Sequence, residues 1–149
     1  MVDLKEFEQK AADLRVLGMK ISIGQDTVYE KYWDEDCRRN IYSASKSFTS
    51  CAVGFAVQEG LIDLDERLMD AFKEDIPNNP DENLKKATVK DLLTMTLGQE
   101  KGFLMGKQRP RMEEQNWVKA SLAIPFVYEP GTHFVYNNVG PYLAGILVQ

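Results

Sequence analysis

The run Asn40-Ile41-Tyr42-Ser43-Ala44-Ser45-Lys46-Ser47-Phe48-Thr49 sets a serine three residues before a lysine, at the expected head of a helix. Residues at i and i+3 share a helix face with β-carbons about 5–6 Å apart, so the Ser43 hydroxyl and the Lys46 amine can meet. A serine alone is a poor nucleophile. A lysine sunk in a dry wall loses the hydration that favours its charged form and can then accept the hydroxyl proton. The free N–H groups at a helix N-terminus would also favour negative charge developing on Ser43. Far downstream, Phe134-Val135-Tyr136-Asn137-Asn138 offers a second pair of chemically able side chains on a loop. A phenol relays a proton when a nearby cation lowers its pKa, and Lys46, when protonated, is such a cation. Asn138 brings both a donor and an acceptor, enough to bind a substrate amide and to steady Lys46. Taken one at a time, plainer readings outweigh these. Ser-x-x-Lys arises by chance, and Tyr136 with Asn138 reads as a half-buried tyrosine beside a turn-forming asparagine.

The elements around these residues follow from periodicity. Ala44, Phe48, Cys51, Ala52, Phe55 and Ala56 recur at spacings of three and four, and Ser47, Ser50, Cys51 and Gly54 make a small-residue face. The pattern predicts a helix packed on several sides, with Cys51 inside and Gly60 as its stop. Upstream, Asp3 is positioned to cap a helix reaching about Val16, with Leu4, Phe7, Ala11 and Leu14 buried and Gly18 ending it. Met19–Ile23 and Thr27–Trp33 alternate around a Gly24-Gln25-Asp26 turn and read as a β-hairpin. Two strands alone are marginal, and no other stretch offers convincing partners, so the unpaired edge predicts self-association. After the central helix come a short turn through Leu68, Met69 and Phe72, and a loop at Pro77–Asn83. A short helix capped by Thr88 carries Val89, Leu92 and Leu93. Residues 97–111 form a glycine-containing loop whose Lys101, Lys107, Arg109 and Arg111 read as a solvated surface, with a mobile lid as the second reading. A helix around Glu113–Leu122 turns Trp117, Ala120 and Ser121 inward. After Gly140 and Pro141, Tyr142–Gln149 reads as the opening turns of another.

Composition limits the function classes. The chain has 149 residues, 44% hydrophobic and 28% charged, which suits one soluble domain. Its net charge of −5 has no long run of either sign. Nothing therefore favours nucleic acid or an anionic membrane surface, and a small-molecule or peptide-like substrate is expected. Cys37 and Cys51 are too few for a disulfide framework or a zinc site and are expected to be free thiols, with no metal and no cofactor. The polar stretch Met1–Phe7 carries no apolar run; read as the native start, it predicts a cytoplasmic protein.

Together, Tyr42–Thr49 and Phe134–Gly140 resemble the Ser-x-x-Lys and Tyr-x-Asn motifs of the serine β-lactamase and penicillin-binding-protein superfamily. The likeness is to its class C-like branch of β-lactamases, D,D-peptidases and esterases. Glu59-Gly60-Leu61-Ile62-Asp63-Leu64-Asp65, Val89–Thr96 and Tyr128-Glu129-Pro130-Gly131-Thr132 extend it over nearly the whole chain. The resemblance implies an α+β fold of the β-lactamase/transpeptidase type. Residues 1–36 would supply a helix and a hairpin of the sheet, and residues 37–149 the mainly helical part of the same domain. It also implies a serine hydrolase working through an acyl-enzyme on a β-lactam, ester, D-peptide or small amide. Ser43 would be the nucleophile, Lys46 its base, Tyr136 the proton shuttle and Asn138 a substrate and lysine contact. The Ser43 N–H would be half of the oxyanion hole. Where family members often show Ser-Gly, this chain has Leu97-Gly98. The family's third motif, Lys or His then Thr or Ser then Gly, does not follow Tyr136 here. The chain is therefore expected to be an N-terminal portion that lacks the C-terminal sheet strands and does not turn over substrate by itself. A non-catalytic module that keeps the fold is the alternative. His133 reads as structural.

Overall fold

A computed structural model describes residues 3–35 and 37–149. The first two residues of the polar N-terminal stretch, and the boundary anticipated at residue 36, lie outside them. The chain divides into two compact units, Met1–Ile41 and Tyr42–Gln149. Among the described residues there are seven α-helices and one two-stranded antiparallel sheet, an α+β composition.

The first unit holds α1 (Lys5–Ala11), β1 (Gly18–Ile23) and β2 (Asp26–Tyr32). The hairpin forms where alternation placed it, in a register that pairs Gly18 with Tyr32 and Ile21 with Tyr29. An irregularity falls between Ile21 and Ser22. Gly24, at φ 60°, supplies the left-handed turn residue. Helix α1 is shorter than expected. The chain leaves it through Arg15 at φ 53°, so Leu14 swings out to 65% exposure and Gly18 opens a strand instead of ending a helix. Asp3 Oδ1 accepts from the Lys5 N–H at the helix head. Phe7 meets Trp33 edge-on at 5.9 Å, and Glu8 accepts from both the Tyr29 hydroxyl and Lys31 Nζ. Among the described residues of this unit, Ala11 alone is fully buried and the others are half-buried or exposed.

The second unit is helical: α2 (Ser45–Gln58), α3 (Leu68–Ala71), α4 (Glu82–Lys86), α5 (Val89–Thr94), α6 (Trp117–Leu122) and α7 (Val139–Leu147). Helix α5 has the capping box its sequence allows, with Thr88 and Asp91 satisfying each other's backbone N–H groups. Helix α4 starts inside what composition marked as loop. Helix α6 begins only at Trp117, because Asn116 caps it by accepting from the Lys119 N–H, and it buries Val118, Ser121 and Leu122. Gly140 lies within the first turn of α7, where a β-carbon would be driven into the Leu92 carbonyl; that glycine lets α7 close on α5. The core gathers Val53, Leu68, Leu84, Leu92, Leu97, Leu122, Val139 and Leu143.

One expectation is overturned here. Helix α2 is not buried on several sides: Val53 is its one fully buried residue, Phe48 and Phe55 are 70% and 67% exposed, and Cys51 is exposed. The apolar periodicity is real, but within this unit α2 finds a packing partner on the Val53 side, where it meets α7.

Candidate active site

Ser43 sits in a 3-10 turn, Tyr42–Ala44, that runs directly into α2. Tyr42, just before it, holds φ 46°, a left-handed conformation that an aromatic residue rarely adopts and that costs energy to maintain. The serine thus occupies a sharp entry at the head of a helix, where the free N–H groups of the first turn favour negative charge. One turn on, Lys46 Nζ donates to Ser43 Oγ at 3.0 Å. Lys46 is half-buried rather than sunk in an apolar wall, since its neighbours Ser47 and Phe48 are open. The helical spacing brought the pair together; the drying of the lysine is not found.

The second half of the site comes from the chain that enters α7. Glu129-Pro130-Gly131 turns with Gly131 at φ 82°, and the Gly131 N–H donates to the Thr96 carbonyl. The Val135 N–H then reaches the Met95 carbonyl at 3.0 Å. Asn137 is buried; its amide donates to the Val135 carbonyl and accepts from the Gly140 N–H, locking the step from loop to helix. Between these ties Tyr136 is 44% exposed, and Lys46 Nζ stands 5.1 Å from its ring centroid. The Tyr136 phenol is held below the usual tyrosine range. The nearby Ser43 hydroxyl contributes most and the Lys46 amine next; desolvation opposes them, and the Lys46 charge adds a smaller pull in the same direction.

Ser43, Lys46 and Tyr136 therefore form one connected group. Asn138 is placed beside it but is engaged elsewhere. Its side-chain amide donates to the Leu104 carbonyl at 2.9 Å and its backbone N–H to the Phe103 carbonyl at 3.2 Å. The structure records no hydrogen bond from it to Lys46. Residues 97–111 are thus tied to the Tyr136 segment, a connection the sequence reading missed. Gly102, one of three glycines in that stretch, was its one visible sign. The basic side chains of that stretch are largely open to solvent, and Lys101 pairs with its neighbour Glu100. His133 stacks on Tyr128 with ring centroids 4.1 Å apart and bonds to Thr132 Oγ1. Among the described residues no group of three or more His, Cys, Asp or Glu side chains is placed to hold a metal ion, and no helix is long and apolar enough to cross a membrane.

A hydroxyl, an amine and a phenol in mutual reach, at a helix head, can move a proton from the serine while it attacks a carbonyl. No curated protein matches the chain. A family model described as Beta-lactamase matches residues 5–149, and family membership carries a serine hydrolase type of function in general. That match spans almost the whole chain and the segments bearing Ser43, Lys46, Tyr136 and Asn138, so the protein belongs to the Beta-lactamase family, within the serine β-lactamase and penicillin-binding-protein-like superfamily.

Proposed function

We propose that the protein is a serine hydrolase of the acyl-enzyme type, acting on a β-lactam, a carboxylic ester or a small amide or peptide, with Ser43 as nucleophile. The observation that carries this reading is the 3.0 Å approach of Lys46 Nζ to Ser43 Oγ beneath the Tyr136 phenol. Ser43 Oγ bonds to the substrate carbonyl carbon, and its proton passes into the Lys46–Tyr136 unit. The leaving group departs with a proton returned from that unit. Water then repeats the sequence on the acyl-serine and frees the acid. Lys46 donates to Ser43, while the phenol is the group whose ionisation its neighbours favour. The mutual reach of the three groups and the lowered Tyr136 phenol support proton acceptance by the Lys46–Tyr136 unit as a whole. Asn138 borders this site as a substrate contact whose amide oxygen remains available to a substrate N–H.

Turnover asks for more than an activated serine. The Ser43 N–H is the oxyanion donor this reading assigns, and a donor of that kind is worth about 10²–10³-fold in kcat. The exposure of Ser43 and Tyr136 also favours a second reading, a binding module that keeps the fold without turnover. Labelling with a fluorophosphonate separates the two. Covalent label on Ser43, lost in Ser43→Ala together with at least about 10³-fold in kcat wherever turnover is measurable, supports the hydrolase. Label that persists in Ser43→Ala, or maps to Ser45 or Ser47, removes Ser43 from the role; absence of label at any serine favours the binding module.

A further inference from the structure

We propose that Gly102 and Leu104 are positioning residues for the phenol, forming with Phe103 a strap whose backbone lies directly on the Tyr136–Asn138 chain and sets where Tyr136 stands. The proposal rests on the reading of Ser43, Lys46 and Tyr136 given above and adds to it a part that none of those residues supplies.

The contact is made by three consecutive residues on each side. A β-carbon at position 102 would meet the Tyr136 carbonyl oxygen at 2.6 Å and the Asn137 Cα at 3.7 Å, so the chain approaches Tyr136 as closely as it does only because residue 102 has none. The next carbonyl, Phe103, accepts the Asn138 N–H at 3.2 Å, and the one after, Leu104, accepts the Asn138 side-chain amide at 2.9 Å. Leu104 reaches that amide by holding φ 55°, a left-handed conformation that its β-carbon resists. Its side chain, 2% exposed, is seated in the core, which is what keeps the strained backbone in place. Gln108 closes the strap behind: its side-chain oxygen accepts the Met105 N–H at 2.9 Å, and its amide reaches the Gly102 carbonyl at 3.4 Å.

On its other flank the Tyr136 segment is tied through the Val135 N–H to Met95, the residue that ends α5. The backbone of Tyr136 is therefore pinned from two sides while its phenol is free to meet Ser43 and Lys46. A change that pushes the strap away must move the tyrosine backbone, and the phenol with it. Misplacing a catalytic group by about 1 Å can cost about 10²-fold in rate.

The test uses the 149-residue chain labelled with ring-13C tyrosine, one signal of the six tyrosines being assigned to Tyr136 by its loss in Tyr136→Phe. In the unaltered chain Tyr136 is expected to titrate below the usual tyrosine range. In Gly102→Ala its midpoint should rise towards that range, and labelling of Ser43 by a fluorophosphonate should slow by about 10²-fold. Gly106→Ala is the control: its β-carbon would meet only the far end of the Arg109 side chain, at 3.8 Å, so both readings should stay put. A folded Gly102→Ala chain with an unmoved Tyr136 titration overturns the strap while leaving the Ser43 reading intact. If Gly102→Ala does not fold, Gln108→Ala replaces it; a rise of the Tyr136 midpoint supports the strap and no rise overturns it. A Tyr136 that titrates in the usual range already in the unaltered chain takes down the site reading and the strap together.

Discussion

The two halves of the candidate site stand at the heads of α2 and α7, and those helices are held in opposite ways. Helix α7 buries Val139, Gly140, Leu143 and Ala144 and closes on α5 through a glycine. Helix α2 buries Val53 alone and leaves two phenylalanines to solvent. The phenol half is thus fixed by packing and by a strap, whereas the serine half is fixed by one seam against α7 and by the Lys46–Ser43 hydrogen bond. Catalytic geometry does not need equal support on both sides: one rigid wall and one seam can define it, but the seam is where it will fail first.

The sharpest way to break that comparison is to cut the link between the halves. Lys46→Ala and Tyr136→Phe should each lower the acylation rate of Ser43 by about 10²–10⁴-fold, and the double variant should lose far less than the product of the two. Multiplicative losses would show that the two groups act separately. Stability offers the next contrast. Leu143→Ala in α7 should cost about 2–5 kcal/mol, while Phe55→Ser on the open face of α2 should stay within about 0.5 kcal/mol, both read from urea unfolding. A large cost for Phe55→Ser would mean that the face is covered in solution.

Smaller effects belong to the first unit. Lys31, and then Tyr29, hold the Glu8 carboxyl below its ordinary value through hydrogen bonds. The stability this contributes is present above the unfolded carboxylate pKa and is lost as pH falls through the lower folded one. Thermal melts should therefore show an acid-side loss that Glu8→Gln removes; an unchanged profile would exclude Glu8 as its source. The hairpin has no third strand among the described residues, and Ile23 and Val28 are exposed on it. We expect concentration-dependent self-association by sedimentation, weakened by Val28→Lys; a monomer at all concentrations would refute it.

The hairpin and the Thr88 cap were legible because both depend on nearest neighbours, alternation with a glycine turn and a capping residue ahead of apolar positions; the answering bond from Asp91 was not read. The pairing of Ser43 with Lys46 was legible for the same reason, being a matter of helical spacing. Burial of α2 was misjudged because a periodic apolar stripe says which face can be covered, not what covers it. Leu14 was misplaced by a left-handed Arg15 that nothing in the sequence announces. The hold of Asn138 on Leu104 was invisible because it joins loops far apart in the chain through backbone carbonyls, which every residue possesses.

The seam between α2 and α7 also has a meaning in time. About 80 residues separate Gln58 from Val139, several seconds of synthesis at roughly 5–20 residues per second. During that interval α2 exists without the helix it packs on, with Val53 bare as well as Phe48 and Phe55. Ser43 is therefore made early and assembled late, and a chaperone would find this segment's apolar surface before the phenol it meets has left the ribosome.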